Sequence, residues 1–421
     1  MIIRFQSHLI LGYLVGFIAF FAPILGFIAS KGLAPLVIIG SICCVIILRV
    51  QARKIIWLGL PVFLILSCFC LWALLSSLWS ADPVASSIGS VRLFGNILAG
   101  LLLFVTIRNL SKEEKNLTLK FLLTGFLIVI CIVVLEILLG GPIFIALKNQ
   151  YISIERVWQG QNSGIFWLNP VMVVLSLFIW PISVGLYKKI FSFSLKKFPV
   201  LSMVFGFSMI LILSITISFF SGVLAILCGL LGATIISIFG RWVAIAAVLV
   251  IAVVSFSLPF GFYVSQNPIS QINSLIHLPT SAVHRIGIWK FTSDKVIEHP
   301  LVGWGMNASK SIPGGKSFLF FEDGTQLGSA LPLHPHNVIL QIWLELGLPG
   351  IVLFLALCIF IIMTSVNRLK LKFESAMIFG QFITILGISN VSFGMWQAWW
   401  ISTIWLSVSF MLLVISSDKG K

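Results

Sequence analysis

Apolar residues run along this chain in long blocks separated by short polar breaks. The blocks fall at about 9–29, 33–48, 55–79, 88–107, 119–139, 166–187, 199–219, 222–240, 242–262, 349–366, 375–393 and 398–416. Most are long enough to cross a bilayer as a helix. They do not alternate apolar and polar residues at period two, as the strands of a membrane barrel would. In lipid the backbone has to satisfy its own hydrogen bonds, so such blocks must be helices. The pattern predicts an all-α polytopic membrane protein of about twelve transmembrane helices. The narrowest break is Phe219-Phe220-Ser221-Gly222, between the seventh and eighth blocks.

Composition agrees: 59% of the 421 residues are hydrophobic and 9% are charged, where soluble chains carry about a quarter charged residues. The net charge of +15 suggests a nucleic-acid partner, but its distribution speaks for topology. Arg49, Arg53, Lys54, Arg108, Lys112, Lys188, Lys189, Arg241, Arg368 and Lys372 fall on alternate breaks. The intervening short breaks hold few cations: Lys31, Lys148 and Arg156. This is the positive-inside pattern, and it predicts cytoplasmic N- and C-termini and no nucleic-acid partner. The first block lacks a small-residue cleavage site near Ser30 and reads as a retained span. All seven cysteines lie in apolar blocks without metal-ligand spacing and read as small core residues.

The one long stretch that is not continuously apolar is about 263–348, which the charge pattern places on the outer face. It divides the chain into a bundle over 1–262, a loop over 263–348 and C-terminal spans over 349–421. Loops this long in a compact fold are usually functional. Gly303-Trp304-Gly305 lacks the context of a nucleotide cradle. Residues 281–298 read as a helix ended by His299-Pro300. It carries Arg285 and Trp289 one turn apart on one face. A guanidinium suits phosphate oxygens, although an arginine here can also be a snorkelling charge.

The second feature is Leu333-His334-Pro335-His336-Asn337 and the apolar helix that follows, to Gly347-Leu348-Pro349-Gly350. Asn337 is a good N-cap. It puts His336 at a helix N-terminus, where the dipole favours an anion beside it and a neutral imidazole. Gln341 and Glu345 follow Asn337 at i+4 steps on one face. Two alternatives stay open for the histidines: a metal site with Glu322 or Asp323, for which the spacing is poor, and a purely structural pair.

At these residues the chain resembles the O-antigen ligase and polymerase family. The signature is His, then Asn, Ser or Gln, nine residues, Gly, two residues, then Gly, Thr or Tyr. Here it reads His336-Asn337, Gly347, Gly350. Arg285 with Trp289 before His299-Pro300-Leu301-Val302-Gly303-Trp304-Gly305, and Trp79-Ser80-Ala81-Asp82-Pro83, also fit. The resemblance implies a metal-independent, cofactor-free, inverting glycosyltransferase of the bacterial inner membrane with a periplasmic site. Its donor would be a glycan on undecaprenyl diphosphate and its acceptor lipid A-core or another glycan, with membrane lipids around it. His336 would be the catalytic base. Arg285, His334, Asn337, Trp289 and Gln341 would contact substrate. Family members often carry a Ser-Arg pair at the outer end of a middle span. Here Ile217-Ser218-Phe219-Phe220-Ser221-Gly222 stands there without the arginine, and Arg156 is the candidate substitute. The resemblance leaves ligase, polymerase and protein O-oligosaccharyltransferase undivided. Membrane-depth charges at Arg92 and Glu136 keep a lipid-linked glycan transporter as a more distant alternative.

Overall fold

The computed structural model describes residues 9–53, 59–143, 146, 165–191, 198–265, 268, 279–320, 324, 326–366 and 372–415. Arg156 lies outside them. Thirteen α-helices make up nearly all of this: α1 Ile10–Ile28, α2 Leu33–Val50, α3 Leu60–Leu75, α4 Pro83–Arg108, α5 Lys112–Leu138, α6 Asn169–Phe191, α7 Phe198–Thr216, α8 Phe220–Phe239, α9 Arg241–Val264, α10 Thr280–Glu298, α11 Val338–Val366, α12 Lys372–Val391 and α13 Ala398–Ile415. Among the described residues eleven helices are long and apolar enough to cross a membrane, and Val200–Thr216 is a shorter apolar one. These twelve are the twelve blocks of the sequence. The thirteenth helix, α10, belongs to the long loop, as does an antiparallel pair, β1 Phe318–Phe320 with β2 Gln326–Ser329.

Local sequence explains the ends. Pro83 takes the first helical position of α4, and Asp82 caps it by accepting from the Ala85 N–H at 2.9 Å. Ser111 and Glu114 form a reciprocal capping box at the start of α5. The narrow break between α7 and α8 turns at Ser218, which holds φ 60°.

Prolines inside the helices remove a donor, and the freed carbonyls find other partners. Pro259 in α9 leaves the Ser255 carbonyl free, and Trp343 Nε1 donates to it at 2.7 Å. Pro181 in α6 leaves Leu177 free, and Ser407 Oγ of α13 donates to it at 3.1 Å. Each substitution ties one helix to another. Close packing does the same where side chains are absent. A β-carbon on Gly229 of α8 would meet the Gly380 carbonyl of α12 at 2.7 Å, which lets those two helices pack intimately.

Cys44, Cys70 and Cys358 are core residues as expected, but Cys68, Cys131 and Cys228 are exposed on helix surfaces. Their apolar thiols suit a lipid-facing surface as well as a core.

Charge marks one end of the bundle. Arg53 pairs with the buried Glu114 at 2.7 Å. Lys188 pairs with Glu374 and donates to the Val414 carbonyl. The turn after α3, the α7–α8 turn, the long loop and the α12–α13 turn gather at the opposite end, and there the candidate site lies.

Candidate active site

The site is built around a break in α11. Gly347 sits at φ +62°, ψ −156°, inside an otherwise helical run. A β-carbon there would lie 2.6 Å from the Leu301 carbonyl oxygen, so the position demands glycine for conformation and for space. With Pro349 following, the carbonyls of 344 to 346 lose their helical donors. The loop supplies new ones. Trp304 N–H donates to Leu344 O at 2.8 Å and Gly305 N–H to Glu345 O at 2.9 Å, while Leu348 N–H donates to Pro300 O at 3.0 Å. Trp72 Nε1 of α3 donates to Leu346 O at 2.8 Å. Val338–Val366 is thus two helical segments joined across a break at Gly347, in keeping with the apolar helix expected after Asn337 and the span expected from 349. These bonds also bring together the stretches at 79–83, 299–305 and 333–350. Ala81 N–H reaches Trp304 O at 3.1 Å, and Trp79 Nε1 reaches Val302 O at 3.2 Å.

Asn337 caps α11: its Oδ1 accepts from Leu340 N–H at 3.0 Å. His336 precedes it at φ 55°, a left-handed conformation that turns its ring out of the helix path. The His336 Nδ1 lies 2.7 Å from the Ser392 carbonyl. A carbonyl only accepts, so Nδ1 carries the proton and Nε2 keeps its lone pair. Burial, then the nearby charges of Arg285 and His284, hold the ring's pKa below the ordinary 6.5, and the Ser392 bond opposes them. His336 is therefore neutral near pH 7, and among the described residues its basic nitrogen has no hydrogen-bond partner.

His334 lies beside it, with ring centroids 4.2 Å apart. It is buried, and its pKa is pushed down to about 3, by burial first and then by the charges of His336 and Lys310. Its Nδ1 faces the His336 N–H at 3.2 Å and its Nε2 the Gly394 N–H at 3.1 Å. A neutral ring accepts at one nitrogen only, so one of these is a contact and not a hydrogen bond. Either way His334 braces the turn, and only glycine at 394 leaves room for its ring.

Arg285 and Trp289 share a face of α10 as the sequence suggested. Trp289 Nε1 donates to Pro335 O at 3.0 Å and so fixes the residue before His336. The neighbouring His284 donates from Nε2 to Ser329 O at 2.9 Å, mounting the hairpin on α10. Arg285 is half-buried and has no hydrogen-bond or ion-pair partner among the described residues; burial lowers its pKa. A partly desolvated guanidinium without a carboxylate is the feature of this site that most calls for an anion.

Gln341 Oε1 accepts from Met395 N–H at 2.9 Å, and its Nε2 donates to Glu345 at 3.3 Å. Glu345 is fully buried. Its carboxylate takes four donors: Ser309 Oγ, Asn307 N–H, Trp396 Nε1 and Gln341 Nε2. It thereby joins α11 to the turn after Gly305 and to the α12–α13 turn. Asn337 Oδ1 and both side-chain polar atoms of Gln341 thus have intramolecular partners.

The sequence reading missed the α12–α13 turn. Residues 392–397 supply Ser392 O to His336, Gly394 N–H to His334, Met395 N–H to Gln341 and Trp396 Nε1 to Glu345. The available signal was Phe393-Gly394-Met395-Trp396-Gln397, an uncharged break rich in aromatic and small residues. The α7–α8 turn also reaches the site, since Ser392 Oγ and Ser221 Oγ are 2.8 Å apart. The turn without the arginine is therefore beside the histidine pair. Among the described residues no three His, Cys, Asp or Glu side chains converge as metal ligands.

Residues 201–355 match the sequence profile of the family described as O-antigen ligase. The match takes in Ser221, Arg285, Trp289 and the whole stretch from His334 to Gly350, and stops before the α12–α13 turn. Four Rickettsia proteins whose provisional names include polysaccharide ligase are similar to this chain. With the R. conorii protein the identity is 43% over 135 residues, 32% of each chain. With the R. prowazekii protein it is 42% over 135 residues, 32% of this chain and 33% of the relative. The R. bellii protein is 29% identical over 350 residues, 82% of this chain and 78% of the relative. The R. typhi protein is 28% identical over 352 residues, 82% and 79%. The chain thus aligns with about a third of the first two relatives and more than three quarters of the others. The O-antigen ligase profile thus covers residues 201–355 of a chain whose described residues include eleven helices long and apolar enough to cross a membrane.

Proposed function

We propose that this chain moves a glycan from an undecaprenyl diphosphate carrier to lipid A-core on the periplasmic face of the bacterial inner membrane. The observation that carries the reading is the pairing of a base and an anion seat. His336 has Nδ1 bonded to Ser392 O, while among the described residues its Nε2 has no hydrogen-bond partner and Arg285, whose charge lies near the same ring, has no carboxylate.

The chemistry is a single displacement. His336 Nε2 takes the proton of an acceptor hydroxyl as that oxygen bonds to the anomeric carbon of the donor sugar. The bond from that carbon to the diphosphate oxygen breaks, and the carrier leaves as undecaprenyl diphosphate with the electron pair. Arg285 stabilises the charge growing there. Because bond making and breaking occur on opposite faces, the anomeric centre inverts. His336 then returns its proton to water. The Ser392 carbonyl holds the reactive tautomer throughout and favours the imidazolium that forms.

Arg156 and Trp289 fit this scheme as further contacts of the glycan-diphosphate. His334, Asn337 and Gln341 border the same space. The outward orientation rests on the basic breaks lying at the bundle end opposite the site.

The test is a deletion strain whose surface glycan is separated on a gel. Loss of long glycan from lipid A-core, restored by the chain in trans, is the expected result. A single glycan unit still attached to core would mean polymerisation, and unchanged glycan would overturn the reading.

A further inference from the structure

The loop between residues 279 and 320 carries five cations: Arg285, Lys290, Lys295, Lys310 and Lys316. Lys290 pairs with Asp294 and Lys295 with Glu298. Among the described residues the other three have no carboxylate partner. Of these, Arg285 acts on His336 and Lys310 acts on His334. The histidine pair thus has one unpaired cation for each ring.

Lys310 is not on a loose tip. It lies in a 3-10 turn, Ala308–Ser311, entered through Asn307 at φ 59°. Before it, the Asn307 N–H and Ser309 Oγ donate to the buried Glu345 carboxylate. After it, Ser311 Oγ donates to Asp82 Oδ2 at 3.3 Å. The Asn307 side chain also packs against Gly89 of α4, where a β-carbon would lie 2.9 Å from it. The backbone on both sides is anchored while the lysine side chain is exposed. The same Glu345 carboxylate binds Trp396 of the turn that braces His334, so Lys310 and His334 share one support. The anchored backbone fixes where the flexible lysine stem begins, so only the side chain has to order when the ammonium meets an anion.

We propose that Lys310 is a second anion-binding residue of this site, contacting an acidic group of substrate on the His334 side while Arg285 takes the diphosphate on the His336 side. This rests on the glycan-transfer reading above. The acidic group belongs either to the second phosphate of the carrier or to an acid substituent on the acceptor glycan.

The experiment uses the full chain in proteoliposomes as wild type, Lys310→Ala and Lys310→Arg. Binding of undecaprenyl diphosphate without glycan reports on the carrier, and the KM for acceptor in a transfer assay reports on the acceptor. Lys310→Ala should weaken one of the two about five- to tenfold, the range of a charge-assisted contact, and raise KM more than it lowers kcat. Lys310→Arg should recover most of the loss. A weaker carrier Kd assigns the lysine to the diphosphate; a raised acceptor KM alone assigns it to the acceptor. Values within twofold of wild type in both would overturn the proposal while leaving glycan transfer standing. A wild-type protein that neither binds carrier nor transfers glycan would instead refute the transfer reading, and this proposal with it.

Discussion

Glu345→Gln is the substitution whose consequence the geometry defines most closely. The side chain keeps its shape, and one acceptor oxygen becomes a donor NH2. The carboxylate serves two donors on each oxygen: Ser309 Oγ and Gln341 Nε2 on one, Asn307 N–H and Trp396 Nε1 on the other. Placed toward Asn307 and Trp396, the amide nitrogen would face two groups that cannot accept. Placed toward Ser309, the hydroxyl can reverse, but Gln341 Nε2 is left opposing a donor. Gln341 cannot rotate to help without giving up Met395 N–H. The better placement therefore strands one buried donor, about 1–3 kcal/mol, and weakens charge-assisted bonds worth about 1.5–3 kcal/mol each. A net loss of about 3 kcal/mol is expected. It falls on the link between α11 and the turn that carries Ser392 O, so His336 should lose its fixed tautomer along with the stability. Thermal unfolding of the purified protein in detergent and transfer kinetics measure the two effects. The expected result is a lower Tm and a reduced kcat with carrier binding retained. Wild-type Tm and kcat in Glu345→Gln would refute the idea that this carboxylate organises the site.

Two further outcomes follow from the same geometry. The transfer rate should fall at acid pH only as His336 becomes protonated. Since its pKa in the free protein lies below 6.5, the acid limb of kcat/KM, which reports the free enzyme, should lie below that value, and a limb above it would contradict the assignment of burial and Arg285 as the causes. Gly347→Ala forces a non-glycine residue into φ +62° against the Leu301 carbonyl. That conformation alone costs about 1–3 kcal/mol, so the variant should accumulate poorly or unfold early in a membrane-level assay; normal levels would mean the break tolerates a side chain.

Much of this was legible from the chain. The twelve blocks became twelve apolar helices because lipid leaves the backbone no other choice. Asn337 became a cap, and Gly347 and Gly350 marked a break, because these residue types have few other uses in that context. The helix predicted over 281–298 is Thr280–Glu298, with Arg285 and Trp289 on the face expected. What stayed hidden was tertiary. Nothing near Glu345 in sequence says that its carboxylate gathers donors from residues 307, 309 and 396. No local pattern shows that Ser392, 56 positions after His336, supplies the carbonyl that fixes its proton. The way the break in α11 is held was likewise decided by distant partners, the Trp304 and Gly305 amides that take over the carbonyls freed by Gly347 and Pro349.

The central claim is that His336 is the base and His334 its brace. The direct measurement is transfer from a glycan on undecaprenyl diphosphate to lipid A-core in proteoliposomes holding wild type, His336→Ala or His334→Ala at matched protein levels. The account predicts that His336→Ala loses about 10²–10⁴ in rate while carrier binding persists, and that His334→Ala keeps measurable activity. Near-normal transfer by His336→Ala would contradict it.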